Sequence, residues 1–278
     1  MPLSPLRHGV AAALALSLAA PALAFGIGLQ PTTVEMEIEP GDRKRQVINI
    51  GNVHTEKTIS LTLGLADWSL DEDGKILLAP PGDLENSAAE WARFSPAFVT
   101  LKPGESTQIV VDMSTPSRLE ASGDHRFALL ASTILPQRNG GQSGVWKKYQ
   151  IATLFYLTAD PAESQPVITG SGLVLEEDAA PKLELIIENG GNAHARLEGE
   201  IAVKAPGLSE TVPVSNLVVL DEARRRFVAE LPPETPADAD IEVRLQNIHA
   251  PQYDDDLQTL PTHEVPVETK RASLNAAE

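Results

Sequence analysis

The sequence predicts an all-β protein built from two tandem immunoglobulin-like β-sandwich domains. Short runs alternate apolar and polar residues, and residues 58–65 are the clearest case, with Ile59, Leu61 and Leu63 on one face. The 22 Pro and 19 Gly residues are dispersed between such runs as turn formers. About seven runs fall within the first ~160 residues, which is the strand count of one immunoglobulin-like sandwich. The 278 residues therefore leave room for a second domain of ordinary size.

One six-residue pattern occurs twice. Residues 49–54 read NIGNVH, residues 189–194 read NGGNAH, and each copy lies between two strand-like runs. Gly and Asn tolerate positive φ angles, so strand, turn and strand is the expected local structure. The repetition predicts two domains with related connectivity. It also gives His54 and His194 equivalent positions, for which packing within a turn is a better explanation than metal ligation.

Alternation predicts the strands of the first domain in order, and Pro103 with Gly104 forms the turn between two of them. The predicted strands are residues 34–38, 47–50, 58–65, a strand–turn–strand pair within 95–113, 127–134 and 149–157. A short helical turn is expected within residues 87–94, where Trp91 is a core or edge packing residue.

The second domain shows a weaker pattern. Its predicted strands are residues 183–187, 195–203, 211–220, 226–231 and 241–246. Residues 162–166 are an expected linker, so the domains are placed at residues 25–161 and 166–269, followed by a disordered tail at residues 270–278. Three arginines at 224–226 and three aspartates at 254–256 are each interpreted as a solvated turn.

Residues 1–24 have the layout of a cleaved secretory signal peptide. Arg7 precedes an uncharged apolar run at residues 10–20, and the segment closes on Ala-Leu-Ala. The apolar run is shorter than the ~20 residues of a membrane-spanning helix. We therefore expect a periplasmic protein that begins at Phe25 and has no stable membrane insertion.

Charge and composition exclude several classes of protein. The chain has 39 acidic and 22 basic residues, a formal net charge of −17. A nucleic-acid-binding surface needs a basic stripe, and the sequence shows none. The absence of cysteine excludes disulfides, thiolate metal sites and cysteine nucleophiles.

Motifs for catalysis or metal binding are weak. Asp124 and His125, with Ser122 nearby, suggest a hydrolase, but adjacent strand residues point to opposite faces and no G-x-S-x-G elbow is present. Residues 71–74 resemble the start of a calcium loop, yet Gly82 stands where the distal Glu is required. The sequence therefore predicts that the protein is not an enzyme and has no catalytic residue, metal site or cofactor.

Several segments carry a family resemblance in their order along the chain. They are residues 28–36, FVTLKPGES at 98–106 with VVDM at 110–113, GDHRFALL at 123–130 and LFY at 154–156. Together they resemble the first domain of PapD-like periplasmic chaperones over roughly residues 25–160. The resemblance implies a chaperone for pilus (fimbrial) or other surface subunits.

In that family the first domain lends a β-strand to a subunit whose own fold is incomplete, and backbone hydrogen bonds give the affinity. The resemblance therefore implies a pilin-like or other surface subunit as partner and an outer-membrane usher that receives it. The excess of acidic residues predicts that nucleic acid is not a partner. The candidate donor-strand residues are Val145, Trp146, Lys147, Lys148, Tyr149, Ile151 and Thr153.

The chain departs from the family at its two basic anchors, which hold a subunit's terminal carboxylate. The matching positions here are Thr33 and Thr153, and neither side chain can form a charge-assisted hydrogen bond. Two interpretations remain open. The protein is either a divergent chaperone that uses other anchors, such as Lys147 and Lys148, or a secreted structural or adhesive protein that shares only the fold.

Overall fold

The computed structural model describes residues 26–137, 145–176 and 179–266, with no side-chain description for residues 134–137 and 145–147. The predicted signal peptide, Phe25 and the predicted tail at residues 270–278 lie outside the described residues. Within the described residues, no helix has the length and apolar character of a membrane span.

The described chain contains eighteen strands and one short 3₁₀ helix, Ala89–Trp91. The first ten strands are β1 Ile27–Gln30, β2 Thr33–Ile38, β3 Arg43–Asn52, β4 Ile59–Leu70, β5 Ile76–Ala79, β6 Ala92–Ser95, β7 Phe98–Leu101, β8 Ser106–Ser114, β9 Gly123–Gln137 and β10 Val145–Ala159. The other eight are β11 Pro166–Val174, β12 Lys182–Asn189, β13 Ala195–Ala205, β14 Leu208–Val219, β15 Arg224–Glu230, β16 Asp240–Asn247, β17 Gln258–Thr259 and β18 His263–Glu264.

The first ten strands form two sheets that enclose one core. One sheet has the order β1-β3-β8-β6, and the other has the order β2-β10-β9-β4-β5, with β7 also paired to β4. Only the β2–β10 pair is parallel among these described strands. Phe127 and Phe155 lie fully buried in the core, with stacked rings whose centroids are 4.3 Å apart. Alternating side chains from both sheets thus produce a first sandwich.

The remaining strands form a second sandwich with its own core. One sheet has the order β11-β12-β15, and the other has the order β14-β13-β16-β17, with β18 also paired to β16. Leu183, Leu185, Ile201 and Val243 are among the buried residues between these sheets. A smaller apolar cluster joins the two domains, because Trp68 and Tyr156 of the first domain pack with Leu220 of the second.

The predicted fold class is confirmed, and the predicted helical turn within residues 87–94 is the 3₁₀ helix, with Trp91 packed against the core. Six strands were not predicted: β1, β5, β6, β11, β17 and β18. The last two have only two residues each, too few to show alternation. β5 is a run of consecutive apolar residues without alternation, and β6 is only four residues long. Pro31 separates β1 from β2, and β11 has a bulge between Ile168 and Gly170 that interrupts its alternation.

The repeated pattern reflects an asparagine that caps a turn in each domain. The structurally equivalent asparagines are Asn52 and Asn189, three residues away from the sequence alignment, which pairs Asn49 with Asn189. Asn52 accepts a hydrogen bond from the backbone N–H two residues later, and Asn189 does the same. Each also donates its amide to carbonyl groups near the start of the next strand. Asn189 is therefore the equivalent of Asn52, and the predicted equivalence of His54 and His194 is wrong.

We expect Asn189→Ala to lower the free energy of unfolding by about 3 kcal/mol, because it removes several buried hydrogen bonds. The Asn189 amide donates to three backbone carbonyls and its oxygen accepts from two backbone N–H groups. Urea denaturation measures the loss. The matched control is Asn49→Ala, since Asn49 is exposed and its side chain contacts Gln108 at 3.4 Å. Equal losses in the two variants would contradict this role for Asn189.

Candidate functional site

The candidate site is the free side of β10 in the first domain. β10 pairs with β9 along its whole length, whereas β2 pairs only with its last six residues, 154–159. The preceding part of β10, residues 145–153, extends beyond Thr33, the first residue of β2. A strand that is paired on one side presents a row of backbone groups to any incoming strand on the other.

The orientation of these backbone groups follows from one hydrogen bond. Leu154 N–H points away from β9 and donates to Thr32 O at 2.9 Å. Strand groups alternate with a period of two, and the β9–β10 register is continuous. The N–H and C=O groups of Lys148, Gln150 and Ala152 therefore also point away from β9. They form the part of the edge that a partner strand can bind.

The predicted donor-strand side chains have different environments. Lys148 is exposed, Tyr149 and Ile151 are half-buried, and Thr153 is fully buried. Ile151 packs against the core of the first domain. The side chains of Val145, Trp146 and Lys147 lie outside the described residues. The alternation expected of a donor strand is thus present only in part.

The two anchor positions lie close to each other at the start of the β2–β10 ladder. Thr33 is exposed and pairs with Leu154, the residue after Thr153. The Thr153 hydroxyl donates to Pro31 O at 2.8 Å and contributes to holding the turn before β2. Thr153 therefore has a structural contact in place of the basic group that the family carries there.

Charged side chains from both domains meet in the cleft between them. Asp124 on β9 is buried, and its carboxylate accepts hydrogen bonds from the Thr158 hydroxyl at 2.8 Å and from the His194 backbone N–H at 2.8 Å. Its Oδ2 also lies 2.6 Å from Nδ1 of His194, which is fully buried. First-domain Asp124 and second-domain His194 thus form a buried ion pair across the junction.

Neighbouring groups shift the pKa values of Asp124 and His194 in the directions that favour their charged forms. Burial alone would raise the pKa of Asp124, but the charge of His194, the hydrogen bonds from its ring and backbone, and the charge of Arg126 lower it to about 2. Burial alone would lower the pKa of His194, but its charge interaction and hydrogen bond with Asp124, and then the nearby Glu35 carboxylate, raise it. Asp124 is therefore ionised, and proton binding at His194 is favoured.

Glu35, Arg196 and His249 extend this cluster towards solvent. Glu35 on β2 forms a salt bridge with Arg196 of the second domain, and its Oε1 lies 3.6 Å from His194 Nε2. The rings of His249 and His194 are stacked with centroids 3.9 Å apart. Burial, and then the charge of His194, lower the pKa of His249 to about 4, so His249 is neutral at pH 7.

A second interdomain ion pair lies beside Trp68. Arg126 of β9 forms a salt bridge with Asp221 of the second domain, and their side chains are 6% and 16% exposed. The Asn86 amide donates to the other Asp221 oxygen at 3.1 Å. The Arg126 guanidinium also lies 5.7 Å from the centre of the Trp68 ring. Arg126 and Arg196 in the cleft are thus both paired with carboxylates.

The β4–β5 turn also contacts the second domain, which corrects one prediction. Arg226 donates its backbone N–H to Glu72 O at 2.6 Å and its side-chain Nε to Asp73 at 2.8 Å. Arg225 donates to Glu72 O at 2.8 Å. The prediction that arginines 224–226 form a solvated turn is wrong, because they belong to β15 and bind the turn at residues 71–74. The aspartates at 254–256 do lie exposed in a turn.

The weak hydrolase motif has a different arrangement from the one that catalysis needs. The His125 ring nitrogen lies 3.2 Å from Ala121 O, and the Ser122 hydroxyl accepts from Asn192 at 3.2 Å. Asp124 pairs with His194 and not with His125. These three neighbours along the chain thus have separate partners.

Comparison with known proteins finds a distant likeness in fold. No protein-family model matches the sequence, and no curated protein matches it. The chain is similar to the Pseudomonas aeruginosa CupB2 chaperone, with 10% identity and a TM-score of 0.40 over 85% of this chain and 98% of that one. It is also similar to a chain in the complex of Salmonella enterica SafA pilin with the SafB chaperone, with 13% identity and a TM-score of 0.42 over 87% and 97% of the two chains. A third likeness is to a chain of the Acinetobacter baumannii CsuC–CsuE complex of archaic chaperone-usher Csu pili, with 13% identity and a TM-score of 0.41 over 84% and 97%.

Each of these three solved structures includes a protein described as a chaperone. The predicted resemblance to PapD-like periplasmic chaperones is confirmed by these matches, as a distant likeness in fold.

Sequence reasoning missed the charged cluster in the cleft. One pattern pointed to it, because Asp124 and Arg126 are two residues apart on a predicted strand and therefore share a face of β9. Both are buried, as are Tyr156 and Thr158 on the same part of β10. Buried charges require partners, so this pattern predicts an interdomain network, although it does not identify His194 or Asp221.

Proposed function

We propose that this protein is a periplasmic chaperone-like protein that assists the folding and assembly of pilin-like or other surface subunits. It does so by offering the free side of β10 to a subunit that lacks one strand. The observation that carries the proposal is that residues 145–153 of β10 extend past β2 with the backbone groups of Lys148, Gln150 and Ala152 directed outwards.

Backbone pairing supplies the affinity in this proposal. A subunit with a missing strand exposes apolar core and an unpaired edge, and both promote aggregation. Pairing with β10 provides the missing hydrogen bonds, while side chains on one face of β10 enter the groove of the subunit. The proposal needs no cofactor and no catalytic step, and delivery to an outer-membrane usher would follow subunit binding.

Subunit anchoring must differ from that of the family. Positions 33 and 153 are threonines, and Arg126 and Arg196 in the cleft are paired with carboxylates. Lys148 is exposed on β10 itself. We therefore assign to Lys148 the role of holding a subunit carboxylate by a charge-assisted hydrogen bond.

A proline at position 150 tests strand lending. Gln150→Pro removes an outward N–H but no hydrogen bond to β9, so the fold is retained while strand pairing is blocked. Gln150→Thr is the matched control, because it also removes the side-chain bond to Ser132 but keeps the N–H. We expect Gln150→Pro to weaken binding of a co-expressed pilin-like subunit at least about tenfold, or ~1.4 kcal/mol. Gln150→Thr should bind as the wild type does.

Co-purification from the periplasm and hydrogen exchange measure this binding. Bound subunit should protect the amides of residues 148–152, while the amides of the edge strand β14 keep their exchange rates. Undiminished subunit binding by Gln150→Pro, or unchanged exchange in residues 148–152 in the complex, would reject strand lending. Such a result would favour a secreted structural or adhesive protein.

A further inference from the structure

We propose that Glu35, His194 and His249 form a binding site for a divalent transition-metal ion, such as Zn²⁺, at the junction of the two domains. One potential ligand atom from each residue lies within 4.8 Å of the other two. Two imidazole nitrogens and one carboxylate oxygen are a ligand set that Zn²⁺ commonly takes. The site is separate from the free side of β10, and the inference does not depend on the proposed chaperone function.

Two buried nitrogen atoms carry the inference. Nε2 of His194 and Nε2 of His249 are buried, and neither has a hydrogen-bond partner among the described residues. A buried polar atom without a partner has lost its hydration without compensation. Nε2 of the fully buried His194 lies 3.6 Å from Glu35 Oε1, too far for a good hydrogen bond. A metal ion between these groups would give each of them a partner.

Asp124 holds His194 in the way that metal-ligating histidines are usually held. Its Oδ2 lies 2.6 Å from His194 Nδ1, and Thr158 fixes the other carboxylate oxygen. Because Nδ1 is engaged by Asp124, Nε2 is the nitrogen left for an ion, and a proton bound at Nε2 must be released to solvent when the ion binds. A carboxylate behind a ligating histidine sets the orientation of the ring and raises its basicity as a ligand.

Metal binding requires a modest rearrangement. Zn–N and Zn–O bonds are about 2.0–2.2 Å long, so the ligand atoms must approach one another. The two imidazole rings are stacked with an interplanar angle of 16°, so their lone pairs lie in separate, nearly parallel planes and cannot both point at one ion without a rotation. His249 is half-buried and is the ring that turns, since Asp124 fixes His194. This movement and the positive charge of Arg196 beside Glu35 lower the affinity below that of a preformed site.

The ligands come from both domains. Glu35 lies on β2 of the first sandwich, His194 immediately precedes β13, and His249 follows β16 in the second. A bound ion would therefore fix the relative orientation of the two domains. It would also raise the melting temperature, because an ion that binds only the folded state stabilises that state.

Calorimetric titration of the untagged protein with Zn²⁺ tests the site. We expect one ion per chain and a rise in melting temperature. His249→Gln should weaken binding at least about tenfold and remove this rise. His54→Gln is the matched control, because His54 lies in a first-domain turn where its ring accepts only local backbone N–H groups. It should leave binding unchanged.

Glu35→Gln is a second test on the other domain, and it also should weaken binding. The melting temperature of each metal-free variant shows whether it is folded. Three results would each overturn the inference: no saturable binding of Zn²⁺, binding unchanged in both His249→Gln and Glu35→Gln, or equally tight binding of Mg²⁺. The last result would indicate surface carboxylates, which prefer hard cations.

Discussion

Asp221→Ala is expected to lower the free energy of unfolding by about 3–5 kcal/mol, because it leaves the Arg126 guanidinium buried without its counter-charge. The Arg126 side chain is 6% exposed, and its Nε has no hydrogen-bond partner among the described residues even with Asp221 in place. The Asn86 amide would lose its acceptor as well. Urea denaturation followed by tryptophan fluorescence measures the loss, since Trp68 lies beside Arg126 at the junction.

Asp112→Ala is the matched control for this prediction. Asp112 forms a salt bridge with Arg45 at 2.6 Å, but both side chains are more than half exposed. An exposed ion pair adds little to stability, so the free energy of unfolding should remain almost unchanged. If Asp221→Ala were as mild as Asp112→Ala, the Arg126–Asp221 pair would not be the buried interdomain contact described above.

Replacing both partners distinguishes the loss of the ion pair itself from the cost of leaving the Arg126 charge buried without a partner. Arg126→Met with Asp221→Leu removes the two charges together and fills a similar volume. Such exchanges are often neutral or stabilising, because neither charge remains buried alone. We therefore expect the double variant to be more stable than Asp221→Ala. This result would assign the loss in the single variant to the stranded guanidinium.

The strands could be predicted from sequence wherever one face of a strand is buried and the other is solvated. Residues 59–63 show this in β4, where Ile59, Leu61 and Leu63 are buried and the residues between them are exposed. The rule fails in β5, where Ile76, Leu77 and Leu78 are all about half exposed and no alternation exists. Element type thus followed from burial on one face in the longer strands. The failures lie where alternation is absent, as in β5, or where it lasts only four residues, as in β1.

The site was less predictable, because its contacts join residues that are remote in sequence. Asp124 and His194 are 70 residues apart, and Arg126 and Asp221 are 95 residues apart. Such pairs depend on how the two domains are oriented, and local alternation carries no information on that orientation. The β10 edge, in contrast, was proposed from the resemblance, although the burial of Thr153 was not foreseen.

Gly123→Ala is expected to destabilise the junction more than any comparable glycine substitution elsewhere in the first domain. Gly123 has φ +91°, a left-handed conformation that costs other residues about 1–2 kcal/mol. A Cβ at this position would lie only 2.2 Å from Asn192 O of the second domain. That oxygen accepts the Asp124 N–H at 2.9 Å, so the added methyl group must displace the contact that places Asp124 beside His194.

Gly104→Ala separates the cost of backbone strain at positive φ from the cost of the steric clash with Asn192. Gly104 has φ +73°, but a Cβ there would have no atom within 4 Å. It should therefore show the backbone strain alone, about 1–2 kcal/mol, and Gly123→Ala should lose at least twice as much.

Because the chain has no cysteine, single cysteines at the exposed positions Glu56 and Glu210 allow specific labelling for an interdomain distance. That distance should change or broaden in Gly123→Ala and stay constant in Gly104→Ala. Equal losses with an unchanged distance would mean that the close approach of Gly123 to Asn192 does not control how the domains meet.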